Sequence, residues 1–407
     1  MRAANSAGQG IERLARPEKR VSEVFWAFLK LGCTAFGGPI AHLGYFQAEF
    51  VQRRRWIDEA AYADLVALCQ FLPGPASSQV GLALGWKRAG WRGALAAWSA
   101  FTLPSATLMV AFGYGVRSAG DLAHAGWVQG LKLAAVAVVA QAVIAMARKL
   151  CPDLARATIA AAAALILVMF SAAWMQLVVI LLGAVAGLGC GRWFAGERAT
   201  VLPPRRPADR SSWINLACFL GLLALLPWLA RVSAAPWLQL ASGFYRSGAL
   251  VFGGGHVVLP LLQEATVGRG WLGQDSFLAG YGAAQALPGP LFAFSAFLGT
   301  LIAPGGILGA TLALSFIYLP AVLVLFGTLP HWERLRSLPK ARFLLGGANA
   351  AVVGLLAAAL YSPIGTSTLT EPKRLAIAVA AFAGLQFWRI PPWVIVAACA
   401  AIGAAWL

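Results

Sequence analysis

Charged residues are scarce in this chain of 407 residues. Only 12% of the residues are Asp, Glu, Lys or Arg, whereas 60% are hydrophobic, and the mean hydropathy is +0.73. A soluble protein of this length needs a more polar surface than this composition can supply. The shortage of charge therefore excludes a soluble protein and predicts an integral membrane protein.

Catalytic and nucleotide-binding motifs are also lacking. The sequence contains no His-Glu-x-x-His, no Gly-x-Ser-x-Gly and no Gly-x-x-x-x-Gly-Lys-[Ser/Thr]. The first two motifs mark metalloproteases and serine hydrolases, and the third marks ATP-driven pumps. We therefore predict that the protein is not an enzyme and needs no cofactor.

Cysteine pairs of the kind that bind metal are absent as well. The six cysteines are dispersed, sit mostly in apolar sequence and form no Cys-x-x-Cys: Cys33, Cys69, Cys151, Cys190, Cys218 and Cys399. This pattern is typical of small apolar residues in helices and argues against a metal site or a disulfide framework.

Apolar segments long enough for the ~20 residues that cross a bilayer recur along the chain. They lie at residues 94–116, 124–147, 157–173, 174–195, 213–230, 304–328, 343–362, 374–388 and 391–407. Residues 1–20 are basic but lack the short apolar core and the Ala-x-Ala site of a cleaved signal peptide. We expect them to form a cytoplasmic tail.

Basic residues outnumber acidic residues, 32 to 15, which gives a formal net charge of +17. They cluster between apolar segments, at residues 53–55, 87–92, 148–149, 192–210 and 334–342. This distribution is typical of the positive-inside rule, which places Lys and Arg in cytoplasmic loops. The charge therefore indicates membrane topology and argues against a nucleic-acid partner.

One sequence pattern occurs twice. Phe36-Gly37-Gly38-Pro39 followed by Gln70-Phe71-Leu72-Pro73-Gly74-Pro75 returns as Phe252-Gly253-Gly254-Gly255 followed by Gln285-Ala286-Leu287-Pro288-Gly289-Pro290. Breaks of this kind in apolar helices free backbone N–H and C=O groups to hold an ion, and their repetition is typical of transporters. We predict transporter repeats at 21–198 and 213–407, joined by a cytoplasmic linker at 199–212.

The corresponding loops of the two repeats differ in charge. In the first repeat the motifs precede Arg53-Arg54-Arg55-Trp56 and the basic residues 87–92, whereas residues 267–271 hold one arginine and residues 302–306 hold none. Homologous loops with opposite charge bias face opposite sides of a membrane. We therefore predict an all-α polytopic membrane protein with two homologous halves in inverted orientation.

Each half is predicted to contain two helical hairpins that turn at its motifs, in addition to spanning helices. The hairpins cover residues 22–50 and 60–86 in the first half and residues 238–266 and 275–301 in the second. Each arm has only ~12 residues, too few to cross a bilayer, so each hairpin would re-enter from the face where it starts. The alternative is that these segments are kinked spanning helices, since such helices tolerate Pro and Gly.

The breaks carry the predicted substrate-binding residues. Paired glycines permit positive φ and close approach of a ligand, although tight helix packing is an alternative reason for them. The helix that restarts after Pro75 presents N–H groups and the hydroxyls of Ser77 and Ser78 to an anion. Gln70 and Gln285 offer amide donors beside the breaks, although interhelical hydrogen bonds explain them equally well. The full predicted set is Gly37, Gly38, Gln70, Pro73, Gly74, Pro75, Ser77, Ser78, Gly253, Gly254, Gln285, Pro288, Gly289 and Pro290.

Several ionisable residues in apolar sequence are candidates for proton coupling or for balancing the charge of an anion. Histidine titrates near neutral pH, and charge inside a membrane usually serves function. Each candidate also has a structural alternative: the lysine and arginine can snorkel, the histidines can be hydrogen-bonded, the aspartate can lie at the headgroups, and the glutamates can pair with Arg53 and Arg269. The candidates are Lys30, His42, Glu49, Asp64, Arg246, His256 and Glu264.

Arg53, Arg54 and Arg55 are predicted to lie at the cytoplasmic mouth of the transport path. Positive charge there would raise the local concentration of an anion and its rate of entry. The same residues can alternatively serve only to fix topology.

These motifs resemble the chromate ion transporter family. The resemblance rests on Phe36-Gly37-Gly38-Pro39 with His42 and Tyr45, on Arg54-Arg55-Trp56, on Gln70 to Pro75, and on the second Phe-Gly-Gly-Gly-His and Leu-Pro-Gly-Pro. It covers almost the whole chain, in the long form with two fused halves.

The resemblance implies a secondary transporter in the inner membrane of a bacterium that exports chromate and confers resistance. A proton gradient is the expected driving force, and the expected partners are the oxyanion, protons and lipid. The alternative is a transporter or channel for sulfate or another oxyanion. A fused chain can form a complete inverted pair as a monomer, and a homodimer is the other possibility.

Overall fold

The computed structural model describes residues 17–118, 125–170, 174–191, 210–233, 235–252, 255–332 and 338–406. Within these ranges the chain forms helices and connecting turns and contains no strand. Most of the predicted tail (1–20) and linker (199–212), together with Gly253 and Gly254, lie outside the described residues.

Both halves of the described chain are built from helices. The first half contains α1 (Pro17–Thr34), α2 (Gly38–Phe46, continued by a π-helix at Gln47–Arg53), α3 (Glu59–Phe71), α4 (Ala76–Ser118), α5 (Gly126–Leu150), α6 (Leu154–Met169) and α7 (Met175–Cys190). The second half contains α8 (Arg210–Val232), α9 (Pro236–Ala249), α10 (Val258–Thr266), α11 (Gln274–Gln285), α12 (Phe294–Leu301), α13 (Gly306–Thr328), α14 (Pro339–Ala359), α15 (Pro372–Gln386) and α16 (Pro392–Trp406). A π-helix at Leu360–Gly365 and a short turn at Thr366–Thr368 extend α14.

The chain reverses between α1 and α2. Gly37 and Gly38 have φ values of +99° and +75°, which L residues with a side chain rarely adopt. Beyond this turn the two helices run back along each other. The stacked rings of Phe28 and Phe50, with centroids 4.8 Å apart, show this. The carboxylate of Glu23, near the start of α1, accepts a hydrogen bond from Trp56 Nε1 at 3.3 Å. The start of α1 and the end of α2 therefore lie at the same face.

A second reversal follows at Pro73-Gly74-Pro75, between α3 and α4. Gly74 has a φ of +117°, and α4 begins directly after the second proline. Arg88 donates to Glu23 Oε2 at 2.8 Å, which brings the chain back to the face where α1 starts.

α4 consists of two antiparallel arms. The backbone leaves the helical region at Ala89 and Gly90, and a Cβ on Gly85 would lie 2.7 Å from Ala97 Cβ. Residues twelve apart in a straight helix are separated by about 18 Å, so only a reversal explains this contact. In the second half α12 and α13 meet in the same way, with Gly299 against the carbonyl oxygen of Gly309.

The two halves pack into each other. In the first half α5 contacts α15 and α16, and in the second half α14 contacts α6 and α7. Glycines make both crossings close: Gly130 packs against the Cys399 carbonyl, and Gly187 packs against the Phe343 carbonyl. Small residues at helix crossings are typical of membrane bundles, where packing drives association. The largest hydrophobic core therefore contains side chains from both halves.

Five helices in the described residues are long and apolar enough to cross a membrane: Ala76–Ser118, Gly126–Leu150, Arg210–Val232, Gly306–His331 and Lys340–Thr368. The segments predicted at 157–173, 174–195, 374–388 and 391–407 fall on the shorter helices α6, α7, α15 and α16. A helix of 16 residues, such as α6, is about 24 Å long and falls short of a bilayer core of about 30 Å.

Candidate functional site

The helix breaks of the two halves are hydrogen-bonded to each other. The Gly74 N–H in the first Pro-Gly-Pro donates to the Val251 carbonyl at 2.7 Å, and Val251 immediately precedes the second Phe-Gly-Gly. In the reciprocal pair, the Gly289 N–H donates to the Ala35 carbonyl at 2.9 Å, and Ala35 immediately precedes the first Phe-Gly-Gly. The four breaks therefore meet at one junction between the halves, which we call the central junction.

Glycine is required in both Pro-Gly-Pro turns. A Cβ on Gly74 would lie 2.8 Å from Ala321 Cβ, and one on Gly289 would lie 3.0 Å from Ser105 Oγ. Both positions also have positive φ. Pro73, Pro75, Pro288 and Pro290 flank these glycines and supply no N–H, so the glycine N–H is the donor of each Pro-Gly-Pro, and it bonds to the other half.

Side chains of the first half also contact backbone carbonyl groups at the central junction. His42 Nε2 lies 3.2 Å from the Ala35 carbonyl, and its Nδ1 lies 3.5 Å from Ser77 Oγ. Gln79 Nε2 donates to the Pro73 carbonyl at 2.9 Å, which satisfies an acceptor freed by the break. The sequence reasoning did not select Gln79, although a buried amide in the first turn after a break is a signal for this role.

His256, which belongs to the second half, also lies at the central junction. A Cβ on Gly38 would lie 3.9 Å from His256 Nε2, and His256 Nδ1 lies 2.9 Å from the Tyr281 hydroxyl. The Tyr281 hydroxyl also lies beside the Gln285 amide. The two predicted histidines thus differ: His42 is enclosed by its hydrogen-bond partners, whereas His256 lines a cavity.

This cavity, which we call the basic cavity, has a volume of ≈ 700 Å³. At one end it meets the central junction, where Gly37, Gly74 and Gly255 form its wall. No acidic side chain lines it among the residues that the structure describes. Its cationic lining residues are Arg148, Lys149, Arg156 and Arg342, and its amide lining residues are Gln70, Gln141, Asn349 and Gln386.

Lys149 sets the orientation of Gln70. Its Nζ donates to Gln70 Oε1 at 3.1 Å. An ammonium group only donates hydrogen bonds, so the amide oxygen must face Lys149 and the amide N–H groups must face away. Of the predicted substrate-binding residues, Gln70, Gly37 and Gly74 line this cavity, and Gln70 presents donors within it.

The remaining predicted polar residues lie away from the basic cavity. Ser77 contacts His42, and Ser78 is buried beside the Tyr318 hydroxyl. Gln285 is half-buried, with its amide beside the Tyr281 hydroxyl. Asp64 is half-buried in α3, and Lys30 is exposed on α1. The structure therefore places the two predicted glutamines in different surroundings.

The arginines predicted at the mouth are held by carboxylates. Arg53 and Arg54 bind Glu49 at 3.0 and 2.6 Å, and Arg54 also binds Glu23 at 3.5 Å. Arg55 has a φ of +53° in the turn that follows α2. None of the three lines the basic cavity, whose cations come from α5, α6 and α14. The sequence predicts only a topological role for Arg148, Lys149 and Arg342 and singles out no role for Arg156, because no local pattern shows that these helices converge.

A buried ion pair that the sequence reasoning did not select joins the halves on another side. Lys132 Nζ in α5 lies 2.6 Å from Asp275 Oδ1 in the first turn of α11. The lysine side chain is 3% exposed and the aspartate side chain is 39% exposed. The cation is therefore the buried partner and depends on Asp275 for its charge compensation.

Comparisons with known proteins agree with this architecture. The chromate transporter family model matches the chain twice, at residues 22–188 and 238–404. A probable chromate transport protein of Synechococcus elongatus is 30% identical over 91% of this chain and 97% of its own length. The chromate transport protein of Pseudomonas aeruginosa is 29% identical over 96% of this chain and 93% of its own length, and that of Cupriavidus metallidurans is 28% identical over 95% and 93%. No solved structure matches the chain.

The family match covers both halves, in agreement with the two-repeat organisation of the sequence. The family consists of transporters and not of enzymes, and the apolar helices indicate a multi-pass membrane protein. The chain belongs to the chromate transporter family, in its long two-half form.

Proposed function

We propose that this protein is a secondary transporter that exports chromate across the cytoplasmic membrane of a bacterium. The observation that carries the proposal is the basic cavity, which ends at the central junction and is lined by four cations and by no carboxylate among the described residues. One of the four, Arg156, is paired with Asp153 at 2.6 Å, so Arg148, Lys149 and Arg342 carry the argument. A dianion entering such a cavity exchanges water for cations and amide donors, which makes its transfer into the protein favourable.

The direction of opening is inferred from charge. The basic cavity is lined by Arg148, Lys149 and Arg342, which belong to clusters that the positive-inside rule places in the cytoplasm. The hairpins at 22–50 and 60–86 would re-enter from this face, and those at 238–266 and 275–301 would re-enter from the opposite face. The contacts between Glu23 and Trp56 and between Glu23 and Arg88 support this arrangement in the first half. Repeats at 21–198 and 213–407 would then be inverted around the central junction.

Binding would take place where the cavity meets the breaks. Gln70 offers N–H donors within the cavity, and Ala76, the first residue of α4, lines the same wall. The N-terminal N–H groups of α4 carry partial positive charge, which favours an oxyanion without a further buried cation. Lys149 contributes both its own charge and the orientation of Gln70.

Proton coupling is assigned to His256. This residue lines the basic cavity and is hydrogen-bonded to Tyr281, so it can exchange a proton with water and pass it toward a second polar group. His42 serves mainly to hold the Ala35 carbonyl. Because amides and cations recognise any tetrahedral dianion, sulfate is the second candidate substrate.

Uptake of chromate into inside-out membrane vesicles with an imposed proton gradient tests this function. We expect uphill accumulation that an uncoupler abolishes and excess sulfate reduces. Lys149→Gln should lower the initial rate at low chromate by at least about tenfold, since charged hydrogen bonds contribute about 1.5–3 kcal/mol. Arg92→Gln is the matched control, because Arg92 is an exposed cation outside the cavity. Absence of uphill accumulation from vesicles that contain folded protein would overturn the proposal.

A further inference from the structure

A second, smaller cavity lies within the first hairpin of the second half. Its volume is ≈ 40 Å³, enough for a water molecule. Two arginines, Arg246 from α9 and Arg269 from the loop after α10, line it together with Glu264. We call it the arginine cavity.

The arginine cavity lies far from the basic cavity. Arg156, at the start of α6, lines the basic cavity, whereas Gln176, just beyond the far end of α6, lines the arginine cavity. The 16 residues of α6 span about 24 Å at 1.5 Å per residue. Gln176 and Glu264 also line an adjoining cavity of ≈ 480 Å³.

The equivalent place in the first half is neutralised. Arg54 and Trp56 correspond to Arg269 and Trp271, and each arginine lies over its tryptophan, at 5.6 and 5.0 Å. Arg54, however, binds the carboxylates of both Glu49 and Glu23.

The second half has lost one of these carboxylates and gained a cation close to the loop. Glu49 is matched by Glu264, but Glu23 is matched by the neutral Gln239. Lys30, which is exposed, is matched by Arg246, which lines the cavity. The local charge of the three cavity residues is therefore +1, whereas the first half pairs its arginines with glutamates.

Neither arginine of the cavity is neutralised by contact. Within the described part of the chain, neither Arg246 nor Arg269 has a carboxylate oxygen within 4.0 Å. Arg269 is exposed at the edge of the cavity; partial loss of hydration and the charge of Arg246 lower its pKa, whereas the charge of Glu264 raises it. Two guanidinium groups that repel each other across a cavity are stabilised by an anion between them, because each can donate charge-assisted hydrogen bonds to it.

We propose that Arg246 and Arg269 form a second oxyanion site, on the face of the protein opposite the basic cavity. Its ligand class is a tetrahedral oxyanion such as sulfate or chromate, since guanidinium groups bind such oxygens in pairs. Glu264 repels the anion and weakens its binding. Oxyanion binding at this site is independent of the proposed function. A role in receiving chromate just before its release rests on the proposed function.

Equilibrium binding of radiolabelled sulfate to the purified full-length protein tests the site. We expect two classes of sites in the wild type, with Arg246→Gln and Arg269→Gln each weakening one class by at least about tenfold and leaving the other unchanged. Glu264→Gln should tighten the same class, a gain that misfolding cannot produce. Arg231→Gln is the matched control, because Arg231 is an exposed cation at the end of α8 outside the cavity.

The outcomes separate this site from the proposed function. Isotherms of Arg246→Gln, Arg269→Gln and Glu264→Gln that match the wild type would overturn the site, even for a protein that transports chromate. If these variants lose or gain binding as expected while the wild type accumulates no oxyanion in vesicles, the site stands and the proposed transport is wrong. An effect of Arg231→Gln equal to that of Arg269→Gln would show that only net charge matters and would also overturn the site.

Discussion

The contact between the two halves at the Pro-Gly-Pro turns yields a sharp prediction for Gly74→Ala. An alanine held at the Gly74 φ of +117° costs about 1–3 kcal/mol, because residues with a Cβ rarely adopt this backbone conformation. The new Cβ would also lie 2.8 Å from Ala321 Cβ, and relieving such overpacking costs about 1–3 kcal/mol. The expected loss of stability is therefore about 2–6 kcal/mol, and the residue that must shift is the one whose N–H bonds to Val251 of the other half.

Gly90→Ala separates the two contributions. Gly90 also has positive φ, at +62°, but a Cβ there would meet no atom within 4 Å. Its ψ of −154° belongs to a backbone region that is essentially restricted to glycine, so its replacement should cost the backbone contribution alone, about 1–3 kcal/mol. Gly289→Ala should resemble Gly74→Ala, since its Cβ would lie 3.0 Å from Ser105 Oγ.

Melting temperatures of the purified variants in detergent rank their losses of stability. Chromate uptake shows the consequence for transport. We expect Gly74→Ala and Gly289→Ala to lower the melting temperature more than Gly90→Ala, and to reduce uptake per folded molecule. Equal melting temperatures for all three variants would refute the reasoning, because they would show that the turns tolerate a Cβ and that the halves are not tightly joined there.

Further predictions concern single side chains. Lys149→Met should weaken chromate binding more than Gln70→Ala does, because it removes both a charge and the partner of the amide; equal binding constants by dialysis would contradict this order. Asp275→Asn should lower the melting temperature more than Lys132→Met, since it leaves a buried cation unpaired at a cost of about 3 kcal/mol, and the reverse order would be inconsistent with the burial of the lysine. His256→Gln should abolish uphill accumulation while leaving downhill chromate exchange measurable, and unchanged accumulation in proton-loaded vesicles would remove His256 from coupling.

Local chemistry made parts of this fold predictable. Glycine and proline act on the backbone at their own positions, so Gly37, Gly38 and Gly74 mark the chain reversals without reference to any partner. The apolar segments of the sequence likewise predict where apolar helices lie. The helix α6 is slightly shorter than the apolar segment predicted at 157–173.

Contacts between distant helices could not be predicted in this way. The sequence reasoning treated Arg148 and Arg342 as topology signals, and only the packing of α5 against α14 brings them to one cavity. The same limit applies to Lys132, which is an unremarkable basic residue in sequence until α11 places Asp275 beside it. Roles that depend on two helices meeting have no local signature, because the residues that meet are far apart in the chain.

The two proposed anion sites differ in charge. This difference can explain their relative affinities for an anion, but it cannot explain the direction of transport. Four cations line the basic cavity, one of which, Arg156, is paired with Asp153, whereas the arginine cavity combines two cations with Glu264. A dianion should therefore bind more tightly at the basic cavity, and the carrier should saturate at lower concentration from that face. Unequal affinities cannot by themselves drive net transport, because a protein shifts an equilibrium only through an energy source that distinguishes its states. Export against a gradient must come from coupling, so the charge asymmetry explains efficient capture at low concentration and easy release, while the direction depends on the proton that His256 is proposed to carry.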